Sequence, residues 1–302
     1  MACRSLDKGE AAKAALVQES ALPAARLSVV ALDLSDLDSV RLCAASVQSS
    51  AASGAGEWSK PLRCVVCNAG IFPAHVGKGK QGFDIGFVSN HLGHYFLVQL
   101  LLPMLRANRP SKTVVVSSDS HFGPLLSKDV ESKASLLKVA FSDRASIGMG
   151  EAAGVYGSTK LMNVLFAQGL HSREAGNGVA ACSLHPGSMI ATDVARDFSA
   201  LTQWIVKKLG SWFSKSVNQG AATTVCCVLL PHDKLEGLYH SDCKRKQCSK
   251  LATAKAADML WDLSAELIVS ASASASASAS ASVSASASAS ASAAPVEQMA
   301  NL

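Results

Sequence analysis

A tyrosine and a lysine four residues apart are the first pair in this sequence that could do chemistry. In "VYGSTKLMN", Tyr156 and Lys160 occupy positions i and i+4, so on a helix both side chains leave the same face about one turn apart. A free phenol has a pKa of about 10, and a neighbouring ammonium favours its ionised form, so such a pair can exchange a proton closer to neutral pH. The spacing alone is a weak signal, because most such pairs are surface contacts.

Polar residues and glycines at the ends of strand-like runs strengthen this interpretation. "VVVSSDSH" ends a valine-rich run with hydroxyls at Ser117 and Ser118, and "CNAG" and "LHPG" end two other runs with polar residues and glycine. "SNHLGH" places Asn90 at the start of a helical pattern. In open α/β sheets, ligands bind beyond the carboxyl ends of the strands, where these residues would meet. Each motif also has a plainer interpretation as a strand cap, a turn or a helix N-cap.

The elements that must position these residues alternate between strand and helix. Strand-like runs cover residues 26–34, 62–68, 112–118 and 179–185. Helical patterns cover residues 36–49, 90–107, 154–174 and 250–267, and Ser35 is the predicted N-cap of the first. Alternation of this kind requires parallel crossovers. The sequence therefore predicts an α/β fold with a doubly wound, Rossmann-like parallel sheet.

Composition separates one folded domain from an appendage. The chain has 302 residues, of which 49% are hydrophobic, enough for one sizeable core in residues 1–269. Residues 270–302 are mostly alternating alanine and serine, which offers too little apolar surface to offset the entropy of ordering. We predict a disordered low-complexity tail; a silk-like strand is the alternative.

Charge and cysteine usage exclude several classes of function. The net charge of +5 is spread along the chain apart from "CKRKQC", with no basic and aromatic alternation, so no nucleic-acid partner is expected. No apolar run approaches the ~18 residues of a membrane span. Cys64 and Cys67 form a C-x-x-C within a strand-like run, where positions i and i+3 face opposite sides. The nine cysteines predict buried thiols, no metal site and a reducing compartment, with the cytoplasm as the default and the localisation otherwise open.

Taken together, the motifs resemble the short-chain dehydrogenase/reductase family, and within it the retinol-dehydrogenase-like members and the oxidoreductase domain of WW-domain-containing oxidoreductases. The resemblance spans nearly all of residues 1–269 and is carried by "ACR", "LDL", "CNAG", "NHLGHYFLVQLL", "VVVSSDSH", "YGSTK", "LHPG" and "QGAATTV". It implies hydride transfer between NADP(H) and a small lipophilic alcohol or carbonyl compound. A protochlorophyllide-reductase-like enzyme is the alternative substrate class, and a homo-oligomer is left open.

The resemblance also implies a role for each motif residue. Tyr156 would be the general acid/base, Ser118 would hydrogen-bond the substrate oxygen, and Lys160 would lower the pKa of Tyr156 and hold the nicotinamide ribose. Asn90 would seat a water that links Lys160 to solvent. Further cofactor contacts would come from Arg4, Asp33, Asn68, Ala69, Gly70, Pro186, Gly187 and Thr192. An arginine at the end of the strand that faces the adenine ribose favours NADP(H) over NAD(H). By contrast, His91, His94 and His121 are predicted to be packing or capping residues.

The sequence departs from the family pattern in three ways. No pair of tryptophans has the spacing and surroundings of a WW module, so Trp58, Trp204, Trp212 and Trp261 are predicted to be packing residues. Thr192 stands one position later than the commonest spacing after the Pro-Gly turn, and the 302 residues contain no T-G-x-x-x-G-x-G loop. In the family that loop, with its strand and helix, receives the pyrophosphate. We therefore expect "MACRSLDKGE" to be an internal segment of the fold, with a strand, loop and helix of roughly thirty residues before it. The alternative is a truncated, non-catalytic chain that acts as a binding or interaction protein.

Overall fold

A computed structural model describes residues 1–20, 22–53, 60–71, 77–125, 130–143, 148–187 and 216–291. The chain divides into two compact units, Met1–Trp261 and Asp262–Leu302, and the predicted site residues all belong to the first. Among the described residues, no helix has both the length and the apolar character that crossing a membrane would require.

Strands and helices alternate through the first unit. The strands are β1 (Ala2–Cys3), β2 (Val30–Ala31), β3 (Cys64–Cys67), β4 (Ser111–Val116), β5 (Val179–His185), β6 (Tyr239–Ser241) and β7 (Lys244–Lys246). The helices are α1 (Leu6–Ser20), α2 (Leu37–Ser53), α3 (Ile85–Phe87), α4 (Gly93–Ala107), α5 (Lys133–Ala140), α6 (Met149–Glu174), α7 (Val217–Leu229) and α8 (Ala254–Ala291). A single π-helical turn, Val88–Leu92, joins α3 to α4.

The strands form two sheets that are parallel except at one edge. One sheet has the order β1-β2 and the other the order β3-β4-β5-β6-β7, in which only β6 and β7 are antiparallel. Helices connect the parallel strands, which confirms the predicted α/β fold class. Over the described residues, β1 pairs only with β2, and β3 is the first strand of the second sheet.

Local sequence explains why the central strands form where they do. β4 reads SKTVVV and β5 reads VAACSLH, and all seven residues of β5 are buried, as expected for a parallel strand covered on both faces. Two details differ from the prediction. The strand predicted at 26–34 pairs only at Val30–Ala31. The cap of α2 is Asp36, whose Oδ1 accepts from the Asp38 amide at 3.0 Å, because the Ser35 hydroxyl donates instead to Asp33.

A histidine lies inside the aromatic part of the core. The centroid of the His91 ring is 5.7 Å from that of Phe87, 6.2 Å from Tyr95 and 6.0 Å from Phe166. Its neighbour on the next helical turn, His94, is also buried. Burial lowers the pKa of His91 to about 3 and that of His94 to about 4, since a charged imidazole is costly in an apolar environment.

These two histidines make the stability dependent on pH. In the unfolded chain their pKa is about 6.5, so below that pH the unfolded state binds more protons and the free energy of unfolding falls as the pH drops. Each histidine lowers the free energy of unfolding by about 2 kcal/mol at pH 5 relative to neutral pH. The free energy of unfolding, measured with urea, should therefore differ less between pH 7 and pH 5 for His91→Phe than for the wild type. Tyr95→Phe alters the same cluster and should keep the wild-type difference; equal differences in all three proteins would contradict the argument.

The last helix runs into the alanine and serine segment. α8 continues to Ala291, so the backbone of residues 270–291 is described as helical, and the disordered tail stays a prediction. Alanine has the highest intrinsic helix propensity, and serine hydroxyls can bond to carbonyls one turn back. Here Ser270 donates to the Leu267 carbonyl at 2.9 Å and Ser272 to the Ile268 carbonyl at 2.7 Å. The boundary between a domain at 1–269 and a tail at 270–302 stays a prediction.

Deleting residues 270–302 should change the melting temperature by no more than about two degrees, because an alanine and serine segment offers few side-chain contacts. The measurement is a thermal unfolding curve of the full chain and of the shortened chain under the same conditions. A shift of five degrees or more, or protease resistance of the segment in the intact protein, would show that the segment is packed.

Candidate active site

The helix α6 places Tyr156 and Lys160 beside the end of β4. The Lys160 side chain is buried, its Nζ lies 5.6 Å from the centroid of the Tyr156 ring, and it donates to the Val116 carbonyl at 3.3 Å. The Ser117 hydroxyl, which follows β4, also holds α6 in place by donating to the Lys160 carbonyl at 2.6 Å. Ser118 follows directly, and its hydroxyl is hydrogen-bonded with the Tyr156 side chain. Ser118, Tyr156 and Lys160 therefore form one cluster at the carboxyl end of the sheet.

The protonation of this cluster differs from the expectation in one respect. Burial raises the pKa of Tyr156, and the contribution that lowers it comes from the hydrogen bond with Ser118 rather than from Lys160. The Lys160 ammonium lies over the Tyr156 ring and donates to the Val116 carbonyl. Burial also lowers the pKa of Lys160 to about 8. The arrangement keeps the phenol protonated, which is the form that donates a proton to a carbonyl oxygen.

Asn90 closes the cluster from the π-helical turn. Its Oδ1 accepts from the Ile71 amide at 2.7 Å, and its Nδ2 donates to the Ile71 carbonyl at 3.1 Å and to Thr159 Oγ1 at 3.0 Å. These bonds tie the segment after β3 to α6. A Cβ on Gly70 would come within 3.1 Å of Lys160 Nζ and 3.2 Å of Asn90 Oδ1. Gly70 therefore lets the backbone lie against both side chains, and single π-helical turns often occur at functional sites.

The remaining predicted cofactor residues follow the ends of four strands. Asn68, Ala69 and Gly70 come after β3 and are exposed, and Gly187 after β5 has a φ of +114° that favours glycine. Pro186 precedes that turn and is half-buried. Arg4 follows β1 and Asp33 comes shortly after β2; these strands are parallel, so both residues lie near one edge of the small sheet. Thr192 lies outside the described residues.

The chemistry of these residues fits the nicotinamide end of a dinucleotide. Gly70 has no Cβ, so its backbone lies close to Lys160 and Asn90, and the backbone of residues 68–70 is open to solvent. In Asp33, Oδ1 is already occupied by the amide and hydroxyl of Ser35, at 2.9 Å and 2.6 Å. The glycine loop that would take the pyrophosphate is not among the 302 residues.

His121 links Ser118 to a distant segment, which the sequence analysis missed. Its Nε2 accepts from the Ser249 amide at 3.1 Å, so the ring proton is on Nδ1 and is donated to the Ser118 carbonyl at 2.6 Å. The ring stacks between Phe122 and Tyr239, with centroids 4.0 Å and 4.6 Å away. The motif "SSDSH" contains the histidine, but its partner is far along the chain and no sequence pattern identifies it.

A cleft of about 600 Å³ lies beside this histidine. It is lined by residues 122–124 on one side and 247–251 on the other. Phe122, Pro124 and Leu251 make much of the lining apolar, and Ser249 is the residue whose amide bonds to His121. The cleft and Ser118 are therefore joined through one side chain.

Comparison with known proteins identifies the family. The retinol dehydrogenase 12 of Mus musculus is 33% identical over 270 residues, covering 89% of this chain and 77% of the relative. The chain belongs to the short-chain dehydrogenase/reductase family. The WW domain-containing oxidoreductase of Danio rerio is 36% identical over 275 residues, covering 90% of this chain and 62% of the relative. The chain thus spans less than two thirds of the length of that relative. No family model matches the chain.

Solved structures agree with this family at the level of the fold. The NADPH-bound carbonyl reductase from chicken fatty liver has a TM-score of 0.52 at 19% identity, covering 80% of this chain and 83% of that structure. The carbonyl reductase Sniffer of D. melanogaster has a TM-score of 0.53 at 14% identity, covering 82% and 86%. At these identities the likeness concerns the Rossmann-like fold.

Proposed function

We propose that this protein is an NADP(H)-dependent oxidoreductase that acts on a small lipophilic alcohol or carbonyl compound. The observation that carries the proposal is the cluster of Ser118, Tyr156 and Lys160, beside which Asn90 and the backbone of Gly70 lie. The residues come from the ends of two strands, a helix and a π-helical turn. A binding or structural role gives no physical reason to bury a lysine ammonium beside a phenol, because burial of an ammonium is costly.

In this proposal each residue of the cluster has a separate task. Tyr156 donates a proton to the substrate oxygen during reduction and takes it back during oxidation, and Ser118 orients that oxygen by a hydrogen bond. The Lys160 ammonium, with a pKa of about 8, holds the ribose and relays the proton. Asn90 fixes the segment after β3 against α6 and so holds the cofactor side of the site in place.

A nicotinamide dinucleotide, when bound, supplies the hydride chemistry that the side chains cannot provide. The residues proposed to hold it are Asn68, Ala69, Gly70, Asp33, Pro186, Gly187, Thr192 and, at the adenine ribose, Arg4. Three of the similar solved structures are described as bound to NADPH or a modified NADP. This supports a nicotinamide cofactor here, and Arg4 is the reason for proposing NADP(H) over NAD(H).

The substrate class rests on the curated relatives. In the proposal, the hydroxyls of Ser118 and Tyr156 receive one polar oxygen of the substrate. The curated relatives include retinol dehydrogenases of Mus musculus, Homo sapiens and Bos taurus, which supports a long lipophilic alcohol or aldehyde as the first compound to assay.

The proposal is tested by assaying a panel of carbonyl compounds with NADPH. Two proteins are compared: the 302-residue chain, and an extended chain that is preceded by the strand, T-G-x-x-x-G-x-G loop and helix of a retinol dehydrogenase. We expect the extended chain to reduce lipophilic aldehydes faster than small polar ones. Turnover of polar compounds only would overturn the substrate class. Absence of turnover by a folded extended chain that binds NADPH would instead favour the non-catalytic, binding alternative.

A further inference from the structure

Two cysteines and a histidine meet in the interior, away from Tyr156 and Ser118. Cys182 lies on β5, Cys227 on α7 and His240 on β6, and all three side chains are buried. One sulfur or ring-nitrogen atom from each lies within 4.8 Å of the other two. Among the residues that the structure describes, these three side chains are placed closely enough to surround one metal ion.

The fold brings the three residues together from separate parts of the chain. Leu184 of β5 is paired with His240 of β6, and alternate residues of a strand share a face, so Cys182 and His240 lie on the same side of the sheet. Helix α7 covers this side, and Cys227 packs with Cys182 in a core cluster that includes Val114 and Val116. α7 starts at a capping box of Ser216 and Gln219.

A buried imidazole nitrogen marks the same place. His240 Nδ1 is buried and makes no hydrogen bond of normal geometry in the described part of the chain, while the imidazole interacts with Cys227 and with the backbone of Leu238 and Ser183. A buried imidazole nitrogen in this state costs free energy, whereas a purely structural core would place an apolar side chain there. A ligand that accepts electron pairs from nitrogen and sulfur would remove that cost.

A positive charge lies near the group. The Lys112 ammonium donates to the carbonyl of Val228, the residue after Cys227, at 2.8 Å. A thiolate is the form of cysteine that binds metals.

We propose that Cys182, Cys227 and His240 bind one Zn²⁺ ion. Zinc takes thiolate and imidazole ligands at about 2.3 Å and 2.0–2.1 Å, and two thiolates with one Zn²⁺ form a site of zero net charge that an apolar core can accommodate. Binding forms two Zn–S bonds and one Zn–N bond and releases the two thiol protons to solvent. The fourth position is left to water.

The ion would join α7 to β5 and β6, and it does not depend on the proposed enzymatic function. Zinc that binds the folded state alone raises the melting temperature. The sequence analysis predicted no metal site because the three ligands have no local spacing motif such as C-x-x-C. Cys64 and Cys67, which have that spacing, are separate free thiols whose pKa is raised by burial.

The test uses the metal-free 302-residue chain titrated with Zn²⁺ and with Co²⁺, an optical probe of the same site. We expect one ion per chain, a thiolate-to-cobalt charge-transfer band and a rise of several degrees in the melting temperature with Zn²⁺. The variants Cys227→Ser and His240→Ala should lose at least ~tenfold in affinity, the typical least effect of damaging a metal site. Cys226→Ser is the matched control, because Cys226 is the half-buried neighbour of Cys227 on the same helix, and it should bind as the wild type does.

A second measurement needs no variant, in case a substitution unfolds the chain. X-ray absorption of the zinc-loaded wild type should show sulfur and nitrogen in the first coordination shell. A coordination shell of nitrogen and oxygen only, or the absence of a charge-transfer band with Co²⁺, would overturn the site. So would an equal loss of metal affinity in Cys226→Ser and Cys227→Ser relative to the wild type.

Discussion

Replacing Tyr156 by phenylalanine in the extended chain is expected to lower kcat by at least ~100-fold, the usual contribution of a positioned general acid or base. The substitution removes only the hydroxyl, which moves a proton in the transition state and contributes little to ground-state binding. The KM for NADPH should therefore stay within a few-fold of the wild-type value. The measurement is steady-state reduction of a lipophilic aldehyde at saturating NADPH.

The matched control for this substitution is Tyr95→Phe. Tyr95 is also buried, and its hydroxyl donates to the Trp261 carbonyl at 3.3 Å, away from Ser118 and Lys160. This variant should keep most of the wild-type kcat. If Tyr156→Phe retained more than a tenth of the turnover, the role proposed for Tyr156 would be incorrect, whereas an equal loss in both variants would point to a general effect on folding.

Joining the glycine loop to the chain is expected to produce the largest change in cofactor binding. The 302 residues carry no T-G-x-x-x-G-x-G sequence, and that loop and the following helix N-terminus are what receives a pyrophosphate. The extended chain should bind NADPH, and the 302-residue chain should show no measurable affinity in the same fluorescence titration. Tight NADPH binding by the 302-residue chain would contradict this expectation.

Arg4 is expected to set the preference between the two dinucleotides. It is exposed directly after β1, near the edge where Asp33 follows β2. A guanidinium can hold two oxygens of the 2′-phosphate that NADPH has and NADH lacks. Hydrogen bonds to a charged group are worth about 1.5–3 kcal/mol, so Arg4→Ala should weaken NADPH binding by roughly ten- to hundredfold and leave NADH unchanged.

The control for Arg4 is Arg26→Ala, since Arg26 is another exposed arginine of the same unit at the end of a 3₁₀ turn. Its loss should leave both affinities unchanged in the extended chain. An unchanged preference for NADPH in Arg4→Ala would assign the selectivity to another residue, and a parallel loss for NADPH and NADH would assign Arg4 a general role in binding.

The sequence by itself determined the fold class and predicted that Tyr156 and Lys160 share one face of a helix. Runs such as that of β5 are apolar throughout because a parallel strand is buried on both faces, so their position can be read without the structure. Tyr156 and Lys160 belong to one helix, whose periodicity places them on one face. Both inferences depend on contacts within one element, which local sequence controls.

The tertiary structure decided which residues meet and what their surroundings do to them. Asn90, on a π-helical turn, bonds to Thr159 of α6, His121 reaches Ser118 and Ser249, and Cys182 meets Cys227 and His240 across β5, α7 and β6. These contacts join residues far apart in the chain, and no local pattern encodes them. The pKa of Tyr156 is likewise set by burial, which is a property of the whole packed unit, so the pair alone predicted a lowering where the folded chain produces a rise.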